Sequence, residues 1–308
     1  MKENIIAKIL NKKYILPVYS GTLAIEGVLR ILKEEKKKKV LINSYNCHSI
    51  LQAIINSGLE PVIIIPGNGI TLTKEEIEKA VKKEKIDIYI AVHQYGYEQP
   101  IPSIKNLTII EDISQSWNIV LTNRKIGDNV DYIITSLGKT KLLSNGIGGL
   151  ILSDLDFTSK FDLKVKENRL INHNLIEYYY PEKINYKKLV KKANKKVKKN
   201  RKTARLLDNI FKEYSFIKLM NTYTDIPTYH RYVIEVDKDL DNKLTYILDK
   251  SKIKYQKEFK IKLDELPVTK KNKYKVIGKN SETQKFLIYP DNKKKHIKKL
   301  KKEMKKNF

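Results

Sequence analysis

Apolar positions in the first half of the chain follow two alternating periods. Val40-Leu41-Ile42, Pro61 to Ile65, Asp87 to Val92, Leu107 to Glu111, Tyr132 to Ser136 and Leu150 to Ser153 are short apolar runs, and each reads as a strand. The segments between them keep helical spacing. Leu23 to Leu32 is one such stretch; His48 to Ser57 is another and stops at Gly58, a residue suited to a helix C-terminus. Thr73-Lys74-Glu75-Glu76 has capping-box spacing and opens a helix to about Lys83. Strands alternating with helices predict an α/β large domain over residues 1–155, three layers thick with a mostly parallel sheet. Ligands of such sheets sit at the carboxyl ends of the strands.

The pattern changes beyond residue 155. Tyr178-Tyr179-Tyr180-Pro181 interrupts it. A lysine-rich helix follows from about Tyr186 to Tyr214, with Leu189, Ala193, Val197, Ala204, Leu207 and Ile210 at its apolar positions. Tyr229 to Val236 alternates as a strand, Leu240 to Asp249 is helical, and Phe286 to Tyr289 is a last strand. Between Lys293 and Lys306, His296, Ile297, Leu300 and Met304 fall at helical spacing, which predicts a terminal helix with a wet lysine face. Residues 156–200 are expected as a connecting helical segment and 201–308 as a smaller C-terminal α+β domain.

Composition narrows the class. At 41% hydrophobic residues over 308, the chain can bury a core and is not a disordered polyelectrolyte. No apolar run approaches the roughly 20 residues of a membrane span. Glu3 and Lys8 interrupt any signal-peptide core, so a cytoplasmic protein is expected. Cys47 is the single cysteine, which excludes an internal disulfide and a cysteine-based zinc site. The formal charge of +27 invites a nucleic-acid reading, but only six of the 62 basic residues are arginines. Lysine lacks the planar fork that reads phosphates and base edges bidentately. The excess therefore reads as compositional bias with non-specific phosphate attraction, and no specific nucleic-acid partner is expected.

Three elements carry candidate chemistry. Ser20-Gly21-Thr22 opens the first long helix, where free backbone N–H groups and the positive dipole end suit an anion; the same residues also make an ordinary N-cap. Asp112 follows the strand ending at Glu111 and either meets a ligand or caps the next helix. Ser136-Leu137-Gly138-Lys139-Thr140-Lys141 leaves another strand and returns through Gly146-Ile147-Gly148-Gly149. Together they offer a phosphate cradle, a carboxylate and a lysine, in chain order.

This set resembles the DegT/DnrJ/EryC1/StrS family of sugar aminotransferases, which use pyridoxal phosphate on the fold-type I scaffold. The resemblance runs through Ser20 to Ile25, Asn43 to His48 followed by Gly58 to Val62, Val92-His93-Gln94-Tyr95-Gly96, Glu111 to Gln115, and Ser136 to Lys141 with Gly148-Gly149. It covers about residues 14–154. It implies that Lys141 forms the Schiff base with pyridoxal phosphate and shuttles protons, with Lys139 as the competing lysine. It implies further that Asp112 faces the pyridine nitrogen, that Gln115 reaches the ring hydroxyl, and that Gly21, Thr22 and Ser136 hold the phosphate. Cys47 falls on the position that covers the ring face, with His48 beside it as the alternative. His93 is expected in a structural hydrogen bond, and His230 and His173 have no argued role. Lysine at 141 favours transamination, whereas histidine there would point to the family's dehydratases.

The resemblance thus implies transfer of an amino group, from a donor such as glutamate, to a nucleotide-linked keto sugar for glycan synthesis by a homodimer. Three departures bear on the substrate. Only 19 residues precede Ser20, Ile147 replaces an acidic residue before Gly148, and Asn185-Tyr186-Lys187 only echoes the family's Asn-Tyr-Arg segment. They motivate a rival reading, a degenerate pyridoxal-phosphate-binding protein with a regulatory or scaffolding role.

Overall fold

A computed structural model describes residues 4–67, 69–160, 184–220, 226–257, 262–279 and 283–308. Tyr178 to Pro181, His173 and much of the connecting segment lie outside them. The first half runs α1 (Ile5–Ile9), β1 (Tyr14–Val18), α2 (Gly21–Glu34), β2 (Lys39–Asn43), α3 (His48–Asn56), β3 (Glu60–Ile64), α4 (Lys74–Glu84), β4 (Ile88–Val92), β5 (Thr108–Asp112), β6 (Tyr132–Ser136) and β7 (Gly149–Ser153). The second half runs α5 (Tyr186–Phe211), β8 (Ile217–Leu219), β9 (Tyr232–Asp237), α6 (Lys238–Lys250), β10 (Tyr255–Lys257), α7 (Pro267–Lys271), β11 (Lys275–Ile277), β12 (Thr283–Ile288) and α8 (Lys294–Asn307).

Local chemistry explains the helix boundaries. Ser20 Oγ accepts from the Leu23 N–H and starts α2. Thr73 and Glu76 form the capping box that opens α4, as the spacing predicts. Gly58, at φ +67°, follows the end of α3 in the left-handed conformation open to glycine.

The large sheet has eight strands in the order β1-β7-β6-β5-β4-β2-β3-β11. From β6 to β11 the neighbours are parallel, while β7 is antiparallel to both β6 and β1. Alternate strand residues face opposite cores. Leu41, Tyr89, Ile109, Ile133 and Leu152 join α1, α4 and the start of α5 on one side. Val40, Ile90, Ile110, Ile134 and Ile151 join α2 and α3 on the other. Burial on both faces is why these strands read as continuous apolar runs rather than alternating ones.

The smaller sheet is antiparallel, in the order β10-β12-β9-β8, and α5, α6 and α8 pack on it. In α8, Ile297, Leu300 and Met304 are buried beneath the lysine face. Residues 275–277, expected with the C-terminal module, pair instead with Val62 to Ile64 at the edge of the large sheet. Three residues flanked by lysines are too short a signal to reveal that partner. Tyr45, Tyr95 and Tyr97 meet Val233 and Leu287 between the two sheets. There Lys285, 1% exposed, donates to the Tyr45 hydroxyl at 3.1 Å and lies 3.4 Å from Glu235.

Candidate active site

One pocket gathers residues from the carboxyl ends of β2, β4, β5 and β6 and from the start of α2. It contains Gly21, Thr22, Cys47, Asp112, Gln115, Ser136 and Lys141, seven of the residues singled out in the sequence. His48 is not among its lining residues and stands exposed on the first turn of α3. Lys139 is exposed outside the lining, whereas Lys141 lies in it.

The anion end is built by close packing. A Cβ on Gly21 would lie 2.8 Å from Ser136 Cβ, so only glycine lets the start of α2 press against the end of β6. A Cβ on Gly149 would lie 2.5 Å from the Ser20 carbonyl, which pins β7 under the same helix start. The first N–H groups of α2 have no partner within the helix and carry its positive dipole end. The Ser136 hydroxyl accepts from the Gly138 N–H at 3.3 Å, and the Ser136 N–H donates to Ser114 Oγ at 2.9 Å.

Asp112 ends β5 and is 5% exposed. Its Oδ1 accepts from the Ser114 N–H at 2.8 Å. This local turn takes the place of the helix cap that the sequence also allowed. Lys141 lies on a loop closed at its base by the Leu137 N–H donating to Gly148 O and the Asn145 N–H to Leu137 O, each at 2.8 Å. From α5, the Lys196 ammonium reaches Lys141 O at 3.3 Å. His230, 6% exposed, stands near these cations. Its burial, then the charges of Arg231, Lys141 and Lys196, hold its pKa well below the ordinary histidine range. Asn185 caps α5 by accepting from the Lys188 N–H at 3.0 Å, so the Asn185-Tyr186-Lys187 echo forms a helix start.

Behind the pocket, His93 and Glu111 are fully buried. The Gln99 N–H donates to His93 Nδ1 at 2.9 Å, so the ring proton sits on Nε2 and points at Glu111 Oε1, 2.8 Å away. Arg124 and the Gly127 N–H also bind Glu111. Burial alone would raise the Glu111 carboxyl, but the His93 hydrogen bond and the Arg124 charge outweigh it and hold it at about 2. His93 therefore has the structural bond expected of it, and Glu111 is a framework residue one position from Asp112.

Sequence reasoning assigned no role to Gln94 or Ser114, both of which line the pocket. Each occupies an unassigned position inside a motif that was recognised. Gln94 is also 1% exposed, a degree of burial that no motif reports.

Comparison with known proteins bears on the fold and the family. The profile of the DegT/DnrJ/EryC1/StrS aminotransferase family matches residues 3–165, just over half the chain. A GDP-perosamine synthase of Vibrio cholerae is 24% identical over 190 residues, which cover 58% of this chain and 52% of that protein. The chain thus spans about half the length of the curated relatives it matches. Among solved structures, a DegT DnrJ EryC1 StrS aminotransferase from Brucella abortus superposes with a TM-score of 0.74 at 16% identity, covering 99% of this chain and 88% of that one. An Escherichia coli GDP-4-keto-6-deoxy-D-mannose-3-dehydratase with bound hydrated PLP superposes at 0.77 and 14% identity, covering 98% and 90%. At such identities the superpositions establish a shared fold. With the profile match and the assembled pocket, they show that this chain belongs to the DegT/DnrJ/EryC1/StrS aminotransferase family.

Proposed function

We propose that the chain is a pyridoxal-phosphate-dependent aminotransferase that moves an amino group, from a donor such as glutamate, to a nucleotide-linked keto sugar. The observation that carries this reading is the convergence of a lysine, a carboxylate and a helix N-terminus in one pocket. The donor set fits the cofactor: the close Gly21 contact sets the start of α2 against Ser136 in the pocket, where a phosphate would sit, and Asp112 supplies a carboxylate for a ring nitrogen. Bound pyridoxal phosphate supplies an electron sink for the carbon that loses a proton.

The chain's own residues do the rest. Lys141 Nζ would hold the cofactor and would take and return the proton at the reacting carbon. The Asp112 carboxylate would favour the protonated form of a ring nitrogen placed beside it. Gly21, Thr22 and Ser136 anchor the phosphate. Cys47, from the β2–α3 loop, flanks the ring, and it lines the pocket where His48 does not. The family and its similarity to a GDP-perosamine synthase support a nucleotide-sugar acceptor. A homodimer, as the resemblance implies, is part of the same proposal. Among the described residues no helix is long and apolar enough to cross a membrane.

The test is the absorption spectrum of purified protein with added pyridoxal phosphate, beside Lys141→Ala. The expected result is a visible band in wild type, lost in the variant and bleached by glutamate. A band that glutamate leaves untouched favours the non-catalytic, regulatory reading, and no band in wild type overturns the assignment.

A further inference from the structure

The motif Val92-His93-Gln94-Tyr95-Gly96 leaves one side chain without an account. Gln94 follows β4, lines the pocket and is 1% exposed. The orientation of its amide is set by a chain of donors and acceptors. Tyr95 has a left-handed backbone, φ +58°, and its N–H lies 3.2 Å from Gln115 Oε1. A backbone N–H only donates, so the Gln115 atom facing it is the oxygen. The Gln115 nitrogen is thereby turned to Gln94, which it meets at 3.0 Å. A nitrogen donor requires an acceptor, so Gln94 presents its oxygen. Gln94 Nε2 is left on the other side, buried and without a hydrogen-bond partner.

A buried amide N–H with no acceptor is strongly disfavoured, and native proteins keep few of them. This one belongs to the pocket described above, whereas the Gln115 nitrogen already has one acceptor in Gln94. We propose that Gln94 binds the cofactor, its side-chain N–H donating to the ring oxygen of pyridoxal phosphate, and that Gln115 orients Gln94. The inference rests on the cofactor reading above and adds Gln94 to the residues that meet the ring. A neutral donor beside that oxygen favours its ionised form, and so lowers the pH at which the bound chromophore titrates.

Two variants test it. Gln94→Glu keeps the acceptor facing Gln115 and exchanges the donor for an oxygen; Gln94→Leu removes both. In each, the dissociation constant for pyridoxal phosphate is expected to rise about tenfold. The pH midpoint of the visible band is expected to move up in both, a shift that a loss of packing alone would not produce. Gln115→Leu should weaken binding in the same direction, because it removes the group that orients Gln94. Wild-type affinity and midpoint in both Gln94 variants overturn the inference. A wild-type protein that takes up no pyridoxal phosphate is a different failure, and removes the cofactor reading itself.

Discussion

Asp112 shows how much a single residue can be asked to do. Its Oδ1 holds the Ser114 N–H at 2.8 Å, and Ser114 Oγ in turn accepts from the Ser136 N–H. The carboxylate therefore shapes the turn after β5 and, in the proposed mechanism, faces the ring nitrogen. Asparagine keeps the turn, because its amide oxygen still accepts, but loses the charge. Asp112→Asn is expected to fold as wild type and to lose about a hundredfold in transamination rate. Single-turnover spectra with glutamate, read beside thermal melts, separate the two roles. The residues of this pocket were legible because each sits in a short motif. Their partners were not: nothing in the letters around Gln94 or Ser114 says that one is left with an unmatched donor and the other bridges two strands.

At the scale of elements, the junction of α2, β6 and β7 is held by the absence of side chains. A methyl at Gly149 would approach the Ser20 backbone to 2.5 Å, and backbone cannot swing aside as a side chain can. Gly149→Ala is expected to destabilise the protein by about 1–3 kcal/mol and to loosen the phosphate cradle, seen as a lower urea midpoint and weaker cofactor binding. The strand β5 carries a second device in Glu111. Its folded carboxyl is held near 2 against an ordinary value of 4.5. A depressed carboxyl contributes stability that is complete above the ordinary value and is lost as pH falls through the folded one. Glu111→Gln is therefore expected to lower stability by about 3 kcal/mol at neutral pH, leaving Arg124 with Glu98 at 3.8 Å as its carboxylate partner. It should also flatten the decline of stability between pH 4.5 and about 2, as urea unfolding across that window would show. The parallel strands and the α4 capping box were readable from periodicity. The edge strand β1 was not: Pro17 demotes it to a sheet margin, and a margin is where it lies.

For the whole molecule, the contact between the two sheets matters most. Lys285 on β12 is buried against Glu235 on β9 and the Tyr45 hydroxyl on the β2–α3 loop, two residues from Cys47. The ion pair thus ties the small sheet to the loop that flanks the pocket. Lys285→Met leaves the Glu235 carboxylate buried without its cation and is expected to cost about 3–5 kcal/mol. The Lys285→Met/Glu235→Leu pair should recover most of that loss, because a buried ion pair and an apolar pair of similar volume are nearly equal in stability. Denaturant midpoints of the three variants check this.

What the sequence determined by itself was the order of elements from α2 to β7, the apolar runs of the parallel strands, and most of the candidate residues that converge at the strand ends. These follow from local periodicity and from short motifs, which neighbouring residues carry. Tertiary structure alone decided the rest. It returned β11 across the molecule to pair with β3. It set the Lys285 ion pair against Tyr45, 240 residues away in the chain. It turned the Gln115 and Gln94 amides through the Tyr95 N–H, placed Cys47 rather than His48 at the pocket, and brought Lys196 of α5 beneath the Lys141 loop. Each of these depends on partners distant in sequence, or on the direction in which one group donates, and neither leaves a periodic trace in the chain.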